Sequence, residues 1–214
     1  MVITIDGPSG VGKSTVAQGV ADALAIGYLD TGATYRAATL ATIRAEVDVT
    51  DATAVFDNLS RHTIDYDSSG VLLDGVSVAD EVRAADVTAN VSAVSAHVDV
   101  RAAIVAIQRR WVTEHGGRAV VEGRDIGTVV FPDAPVKIYL TASPEVRAER
   151  RAGDREAAGI SVDEIASALA ARDRADSTRT ASPLRPADDA VTIDTSSIGV
   201  DDVIAEVLRR VANT

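Results

Sequence analysis

One stretch near the start of the chain constrains the fold more than any other: Gly7-Pro8-Ser9-Gly10-Val11-Gly12-Lys13-Ser14-Thr15. It follows the apolar run Val2-Ile3-Thr4-Ile5 and fits the pattern G-x-x-x-x-G-K-S/T at a junction between a strand and a helix. Glycines there let successive backbone N–H groups point inward around phosphate oxygens, and the following helix adds the positive end of its dipole. A strand–helix turn without a ligand is the alternative, but motif and context agree. The stretch therefore predicts a nucleoside triphosphate site.

Two side chains of this phosphate loop carry chemistry beyond the backbone cradle. Lys13 is placed to reach the β and γ phosphates, so we expect a catalytic lysine on an exposed loop. The Ser14 hydroxyl is placed to ligate Mg²⁺. All residues from Gly7 to Thr15 are predicted to bind ATP.

Behind the loop, strand-like and helix-like segments alternate, which is typical of a parallel sheet covered by helices. The predicted strands are 2–6, 28–29, 118–122, 136–140 and 190–194. The predicted helices are 13–24, 31–47 with Thr31 as its cap, a short one within 48–60, 81–96, 98–115, one opening at Ser143, 161–175 and 200–211. Residues 62–80 change to strand periodicity around tight turns at Asp67–Gly70 and Asp74-Gly75, which predicts a small antiparallel insert.

Composition narrows the class of protein. The 214 residues suit one α/β domain or a core with small insertions. The formal net charge of −11 argues against broad binding of nucleic acid or anionic membranes. The chain has no cysteine, no signal peptide is recognisable, and the run Val2–Ile5 is too short to span a bilayer. We therefore expect a soluble protein of the reducing cytoplasm.

The basic residues indicate a second anion site. Lys13 and Lys137 are the only lysines, so an Asn/Thr-Lys-x-Asp guanine-recognition motif is absent from the sequence. Arg36 follows the second predicted strand, and Arg124 follows the third, where open α/β sheets bind ligands. Two anions brought together need arginines beside them, because phosphoryl transfer depends on positioning and charge neutralisation.

Further arginines lie on predicted helices. Arg172, Asp176 and Arg179 share one face at i, i+4 and i+7. A second stripe, at i, i+3 and i+4, consists of Arg147, Arg150 and Arg151. Each of these has an alternative interpretation as a solvated surface charge or an ordinary surface pair.

At these positions the chain resembles the bacterial-type cytidylate (CMP) kinases, a branch of the P-loop nucleoside monophosphate kinases. The block Glu122-Gly123-Arg124-Asp125-Ile126-Gly127, with its trailing Val-Val-Phe-Pro-Asp-Ala, is its most diagnostic segment. The matching segments are spread over nearly the whole length: 3–10, 30–36, 120–134, 172–179 and 182–184.

The resemblance implies an α/β fold with a five-stranded parallel sheet flanked by helices, a small antiparallel monophosphate-binding insert and a lid. In one kinase unit of residues 1–214, the core would comprise 1–30, 97–150 and 176–214. The monophosphate-binding region would be 31–96 with its insert near 62–80, and the lid 151–160 within about 145–175. The implied reaction is ATP + CMP → ADP + CDP, with dCMP also accepted and Mg²⁺ as cofactor. We expect a cytoplasmic monomer whose partners are these nucleotides.

The resemblance also implies which residues bind CMP, grouped by the part of CMP that they would contact. The phosphate ligands would be Arg36 and Arg124, and the sugar hydroxyls would be held by Arg172 and Asp176. Cytosine would be contacted by Ser92, Arg101 and Asp125, with Thr31 lining their pocket. Arg179 would lie near both the base and the phosphate. Arg124 and Arg179 would join Lys13 as catalytic residues.

The lid and the metal site are less defined by the resemblance. Candidates for a lid arginine at the transferred phosphoryl group are Arg150, Arg151 and Arg155. Glu122 stands where some relatives have aspartate, and it receives no metal role.

Two other functions stay open on the sequence. One is a kinase of the same fold that acts on UMP, AMP or a sugar acid. The combination of Ser92, Arg101 and Asp125 argues against this alternative because it favours cytosine. The other is a nucleotide-dependent switch without transferase activity, against which the arginines of the second site speak.

Overall fold

The computed structural model describes residues 1–153 and 159–214, and its chain forms two compact units. The first unit contains residues 1–29 and 115–214, and the second contains residues 30–114. Along the described residues the strands are β1 Val2–Asp6, β2 Gly27–Asp30, β3 Ile64–Asp67, β4 Gly70–Leu73, β5 Val76–Ser77, β6 Ala119–Gly123, β7 Val136–Thr141 and β8 Val191–Asp194. The helices are α1 Lys13–Leu24, α2 Thr31–Arg44, α3 Ala52–Leu59, α4 Ala85–Val94, α5 Val98–Glu114, α6 Pro144–Ala152, α7 Val162–Thr178 and α8 Val200–Ala212.

The larger sheet has five strands, as the resemblance implies, and their order is β2-β6-β1-β7-β8. β1 pairs in parallel with β6 and β7, and its register places Ile3 beside both Val120 and Val136. Their near-continuous apolar sequences suit a sheet that is covered on both faces. Because parallel strands end at one edge of the sheet, the residues after β1 and β6 lie side by side there, with Asp6 opposite Gly123.

The second unit is built around α2, which is buried along most of its length. The three-stranded antiparallel sheet β3-β4-β5 confirms the predicted insert. Helix α5 packs against α3 and β3, and the Trp111 ring meets Tyr66 edge to face with 6.1 Å between centroids. The resemblance implies that 97–150 belongs to the core, whereas α5 is grouped with the second unit, where its apolar face is buried.

The helix boundaries differ in two places from those predicted. Asp30, and not Thr31, caps α2, because its carboxylate accepts a hydrogen bond from Ala33 N at 3.1 Å. The predicted helix 81–96 is divided into a 3₁₀ turn at Glu81–Arg83 and helix α4. A π-helical turn, Ile126–Val130, follows β6.

Of the helices described, none taken singly has the length and apolarity to cross a membrane; α4 and α5 reach that threshold only jointly, across a bend of 105°.

Candidate functional site

The phosphate loop leaves β1 in a conformation that requires glycine. Gly7 has φ +149°, and a Cβ there would lie 2.2 Å from Leu140 O on β7. Gly10 has φ +80°, and its Cβ would lie 2.9 Å from Arg147 O. Side chains at either position would be strained and would push the loop away from its neighbours. The loop then leads into α1, and the N–H groups at the N-terminus of this helix form a favourable site for an anion.

Lys13 is buried, with only 8% of its surface exposed, so the expectation of an exposed loop lysine is wrong. Its ammonium group folds back and donates to Pro8 O at 2.8 Å. Burial lowers the pKa of Lys13 to about 7, and the charges of Arg124 and Arg172 lower it further while Glu122 and Asp6 oppose them. A polyanion at this loop would restore the charged form by its opposite charge.

Helix α6 and strand β8 hold the loop from behind. Arg147 donates to Ser9 O at 3.3 Å and pairs with Asp173. Thr195 Oγ1 lies 3.2 Å from Val11 O, and Arg150 donates to Thr195 O at 2.6 Å. Sequence reasoning missed Thr195, because a lone threonine after a strand carries no local signal.

The predicted lid arginines therefore have different surroundings. Arg150 contacts Thr195 and the phosphate loop, which makes it an anchor of the loop in this structure. Arg151 is half-buried near the end of α6. Arg155, and with it half of the predicted lid 151–160, lies outside the described residues.

A network of charged side chains joins the turn after β6 to helix α7. Arg124 donates through Nε to Asp176 Oδ2 at 3.0 Å, through Nη1 to Gly7 O at 2.9 Å and through Nη2 to Ser9 Oγ at 2.7 Å. Arg179 lies 3.7 Å from Asp176 Oδ1 and 3.8 Å from Asp125 Oδ1. The first unit thus brings together two predicted catalytic arginines and two predicted CMP-binding carboxylates beside the phosphate loop.

Asp6 is the clearest residue that sequence reasoning missed. It ends β1 immediately before Gly7, and its carboxylate accepts from Ile126 N at 2.9 Å and from Gly127 N at 2.8 Å. Burial raises the pKa of Asp6 to about 6, although both N–H donors oppose that shift. An acidic residue at the end of an otherwise apolar strand was the available signal, because a buried charge requires partners.

The remaining predicted CMP-binding residues lie in the second unit. Arg36 on α2 donates to Val82 O at 2.9 Å and to Thr88 Oγ1 at 2.8 Å. Arg101 on α5 is buried, donates to Ser95 O at 3.1 Å and stands over the Tyr35 ring, 5.2 Å from its centroid. These contacts hold both guanidinium groups in defined orientations.

Thr31 and Ser92 belong to the same unit. Thr31 is buried at the start of α2, where its carbonyl accepts from Thr34 Oγ1 at 2.7 Å. Ser92 is half-buried on α4, and its carbonyl accepts from Ser95 Oγ at 3.2 Å.

The donor set at the phosphate loop suits magnesium. Ser14 is exposed at the start of α1, just after the glycines of the loop, and carries a hydroxyl oxygen. Within the two described ranges no cluster of three or more His, Cys, Asp or Glu side chains is arranged to hold an ion. Mg²⁺ commonly retains several waters and binds through one or two protein oxygens together with substrate phosphates, so a single exposed hydroxyl fits that mode.

Glu122 is accounted for by a different contact. It is buried on β6 and accepts a hydrogen bond from Tyr28 OH at 2.5 Å.

Comparison with known proteins agrees with this architecture over the whole chain. The sequence model of the cytidylate kinase family matches residues 3–213. The cytidylate kinase of Rhodococcus jostii (strain RHA1) is 54% identical, and the match covers 97% of this chain and 93% of the relative. That of Mycobacterium leprae (strain Br4923) is 48% identical, with 97% of this chain and 94% of the relative covered.

Among solved structures, an uncharacterized protein from Eubacterium ventriosum superimposes with a TM-score of 0.55 at 12% identity. The match covers 100% of this chain and 99% of that one. At this identity the similarity concerns the fold alone.

Proposed function

The chain belongs to the cytidylate kinase family, and from that premise we propose how its residues transfer the γ-phosphoryl group of ATP to CMP. The chain is a kinase that phosphorylates CMP to CDP. One observation carries the assignment of residues: Arg124 donates to both the phosphate loop and Asp176, so a cation stands directly beside the ATP site.

On the donor side, the backbone of the phosphate loop binds the ATP phosphates, and Lys13 leaves Pro8 O to contact the β and γ phosphates. Its charge opposes the negative charge that shifts between these groups during transfer, so the contact strengthens in the transition state. Ser14 would hold Mg²⁺, which when bound neutralises phosphate charge. Thr195 and Arg147 hold the loop by hydrogen bonds to the carbonyl groups of Val11 and Ser9.

On the acceptor side, each unit supplies its own groups. In the first unit, Arg124 and Arg179 contact the CMP phosphate. Asp176 accepts hydrogen bonds from the sugar hydroxyls, and Arg172 donates to them. The Arg124 guanidinium group donates to separate acceptors on the phosphate loop and Asp176 and is largely desolvated, with 17% of its side chain exposed. Its planar arrangement of donors suits recognition of a phosphate. For the second unit, the resemblance supports Arg36 as a ligand of the CMP phosphate.

Cytosine is distinguished by its pattern of donors and acceptors. The N4 amino group donates, whereas N3 and O2 accept. Asp125 accepts from N4, and Ser92 and Arg101 donate to the ring acceptors. With UMP, the Asp125 carboxylate would face the O4 oxygen without a proton between them, an unsatisfied contact in a buried site.

The finer properties are also proposals. We infer that dCMP is accepted, that Mg²⁺ is the metal and that the kinase acts as a cytoplasmic monomer. The cysteine-free composition suits a reducing compartment.

A substrate panel tests the function directly. ADP formation would be followed with ATP and each of CMP, dCMP, UMP, AMP, GMP and shikimate, and with ATP alone. We expect rapid turnover with CMP and dCMP and weak turnover with UMP. With ATP alone we expect almost no ADP formation, because a kinase must exclude water from the transfer. Equal rates with and without an acceptor would indicate an ATPase or switch and not a kinase.

A further inference from the structure

Two sets of hydrogen bonds run in opposite directions between the phosphate loop and the turn after β6. From β1, the two carboxylate oxygens of Asp6 accept from Ile126 N and Gly127 N at 2.9 and 2.8 Å. From the turn, Arg124 returns to the loop and donates to Gly7 O and Ser9 Oγ at 2.9 and 2.7 Å. The two segments therefore fix each other, and the residues between the contacts have little freedom.

The Asp6 contact is specific to a carboxylate. Two N–H groups converge on two oxygens, and an asparagine would place an NH₂ group against one of these donors. The carboxylate is retained in this position although burial disfavours its charge, raising the pKa to about 6. Because burying a carboxylate is unfavourable, its presence here indicates that the two N–H groups must be held in a position that apolar packing alone would not fix.

The turn is also confined from its other side. A Cβ at Gly127 would lie 2.9 Å from Thr4 Oγ1 and 3.4 Å from Asp6 Oδ2. The Gly127 backbone thus packs closely against β1 and leaves no room for a side chain.

We propose that Asp6 is a positioning residue of the transfer reaction, which sets Arg124 and Asp125 in place relative to the phosphate loop by holding the N–H groups of Ile126 and Gly127. This inference rests on the roles proposed above for Arg124 and Asp125. The role of Asp6 is indirect, through the turn that carries Arg124 and Asp125. It acts because a displacement of about 1 Å in a positioned group costs about 100-fold in rate.

The test is the substitution Asp6→Asn, with Thr4→Val as its matched control. Thr4 lies on the same strand, is fully buried and faces the same glycine, but its hydroxyl has no hydrogen-bond partner among the described residues. Each variant is checked for folding by thermal unfolding, and kcat and KM are measured per folded molecule with CMP and with UMP at saturating ATP.

We expect Asp6→Asn to lower kcat/KM for CMP about 10- to 100-fold, the scale for groups that orient the residues contacting a ligand. The ratio of kcat/KM for CMP over UMP should fall with it, since a displaced Asp125 reads the base less well. Thr4→Val should retain wild-type kinetics.

Wild-type constants per folded molecule in Asp6→Asn, whatever its melting temperature, would reduce Asp6 to a structural role and overturn the inference. If Asp6→Asn does not fold, Gly127→Ala decides, because it displaces the same turn and leaves the carboxylate in place. Gly127→Ala with wild-type constants and an unchanged CMP-to-UMP ratio would overturn the inference equally. A wild-type protein that does not use CMP would instead refute the proposed function.

Discussion

The guanidinium group of Arg101 stands over the ring of Tyr35, 5.2 Å from its centroid, so a residue proposed to read cytosine is held by an aromatic face. A cation over an aromatic ring gains about 0.5–2 kcal/mol, depending on how far it is desolvated. Tyr35→Leu should therefore raise KM for CMP by roughly 2- to 30-fold, the same energy expressed as a ratio. KM for ATP should stay unchanged.

Tyr35→Phe is the matched control, because it keeps the ring and removes only the hydroxyl group. Steady-state kinetics with CMP varied at saturating ATP compares the two variants. Equal KM values for CMP in the Phe and Leu variants would show that the ring does not orient Arg101.

A second prediction concerns Lys13. Loss of a preorganised charge at the transferred phosphoryl group commonly costs about 100-fold or more in kcat. Lys13→Ala should show a loss of at least this size, measured as initial rates of ADP formation with saturating ATP and CMP. Since Lys13 is buried, the variant must first be shown to be folded by circular dichroism. A folded variant that retains a tenth of the wild-type turnover would remove Lys13 from the catalytic residues.

The raised pKa of Asp6 predicts how stability depends on pH. The pKa of Asp6 is about 6 in the folded protein, against 3.8 for a free aspartate side chain in water, so the folded state binds the proton more tightly. The contribution of Asp6 to the free energy of unfolding is therefore complete below pH 3.8, and it is lost as pH rises through about 6. Asp6→Asn removes that pH-dependent loss.

Melting temperatures of wild type and Asp6→Asn, compared from pH 4 to pH 7.5, test this sign. The difference, variant minus wild type, should become more favourable to the variant as pH rises and level off above about pH 7. A difference that is constant over this range would mean that Asp6 titrates alike in the folded and unfolded chain.

A fourth prediction concerns Thr195, whose hydroxyl lies 3.2 Å from Val11 O and 3.1 Å from Thr141 O. Thr195→Val keeps the shape but leaves the Val11 carbonyl without this donor, which costs about 1–3 kcal/mol for a buried group. We expect KM for ATP to rise while KM for CMP stays near wild type. Thr195→Ser, which keeps the hydroxyl, should behave as wild type; a rise in the serine variant equal to that in the valine variant would assign the effect to packing.

The order of strands and helices was predictable because hydrophobic periodicity and turn residues act locally. The phosphate loop was predictable for the same reason, since its glycines and Lys13 are adjacent in sequence. The burial of Lys13 and the loop-holding role of Thr195 were not, because both depend on contacts between residues far apart in the chain. The cap of α2 was misassigned to Thr31 because Asp30 and Thr31 are both good capping residues, and only backbone geometry distinguishes them.

Substitution of Arg124 and Asp125 separates phosphate binding from base recognition at adjacent positions. Arg124→Ala should reduce kcat/KM for CMP and UMP by similar factors, because a phosphate contact carries no information about the base. Asp125 lies on the same turn and is buried, with Arg179 3.8 Å from its carboxylate. Both variants are compared only after thermal unfolding shows that they are folded.

The decisive measurement is the ratio of kcat/KM for CMP over UMP in Asp125→Asn, set against the ratio in wild type. The wild-type ratio should strongly favour CMP, and the asparagine, whose NH₂ group can donate to O4 of uracil, should lower it by about 1–3 kcal/mol, roughly ten- to a hundredfold. An unchanged ratio in a folded Asp125→Asn variant would mean that another residue recognises cytosine and that Asp125 has been assigned the wrong role.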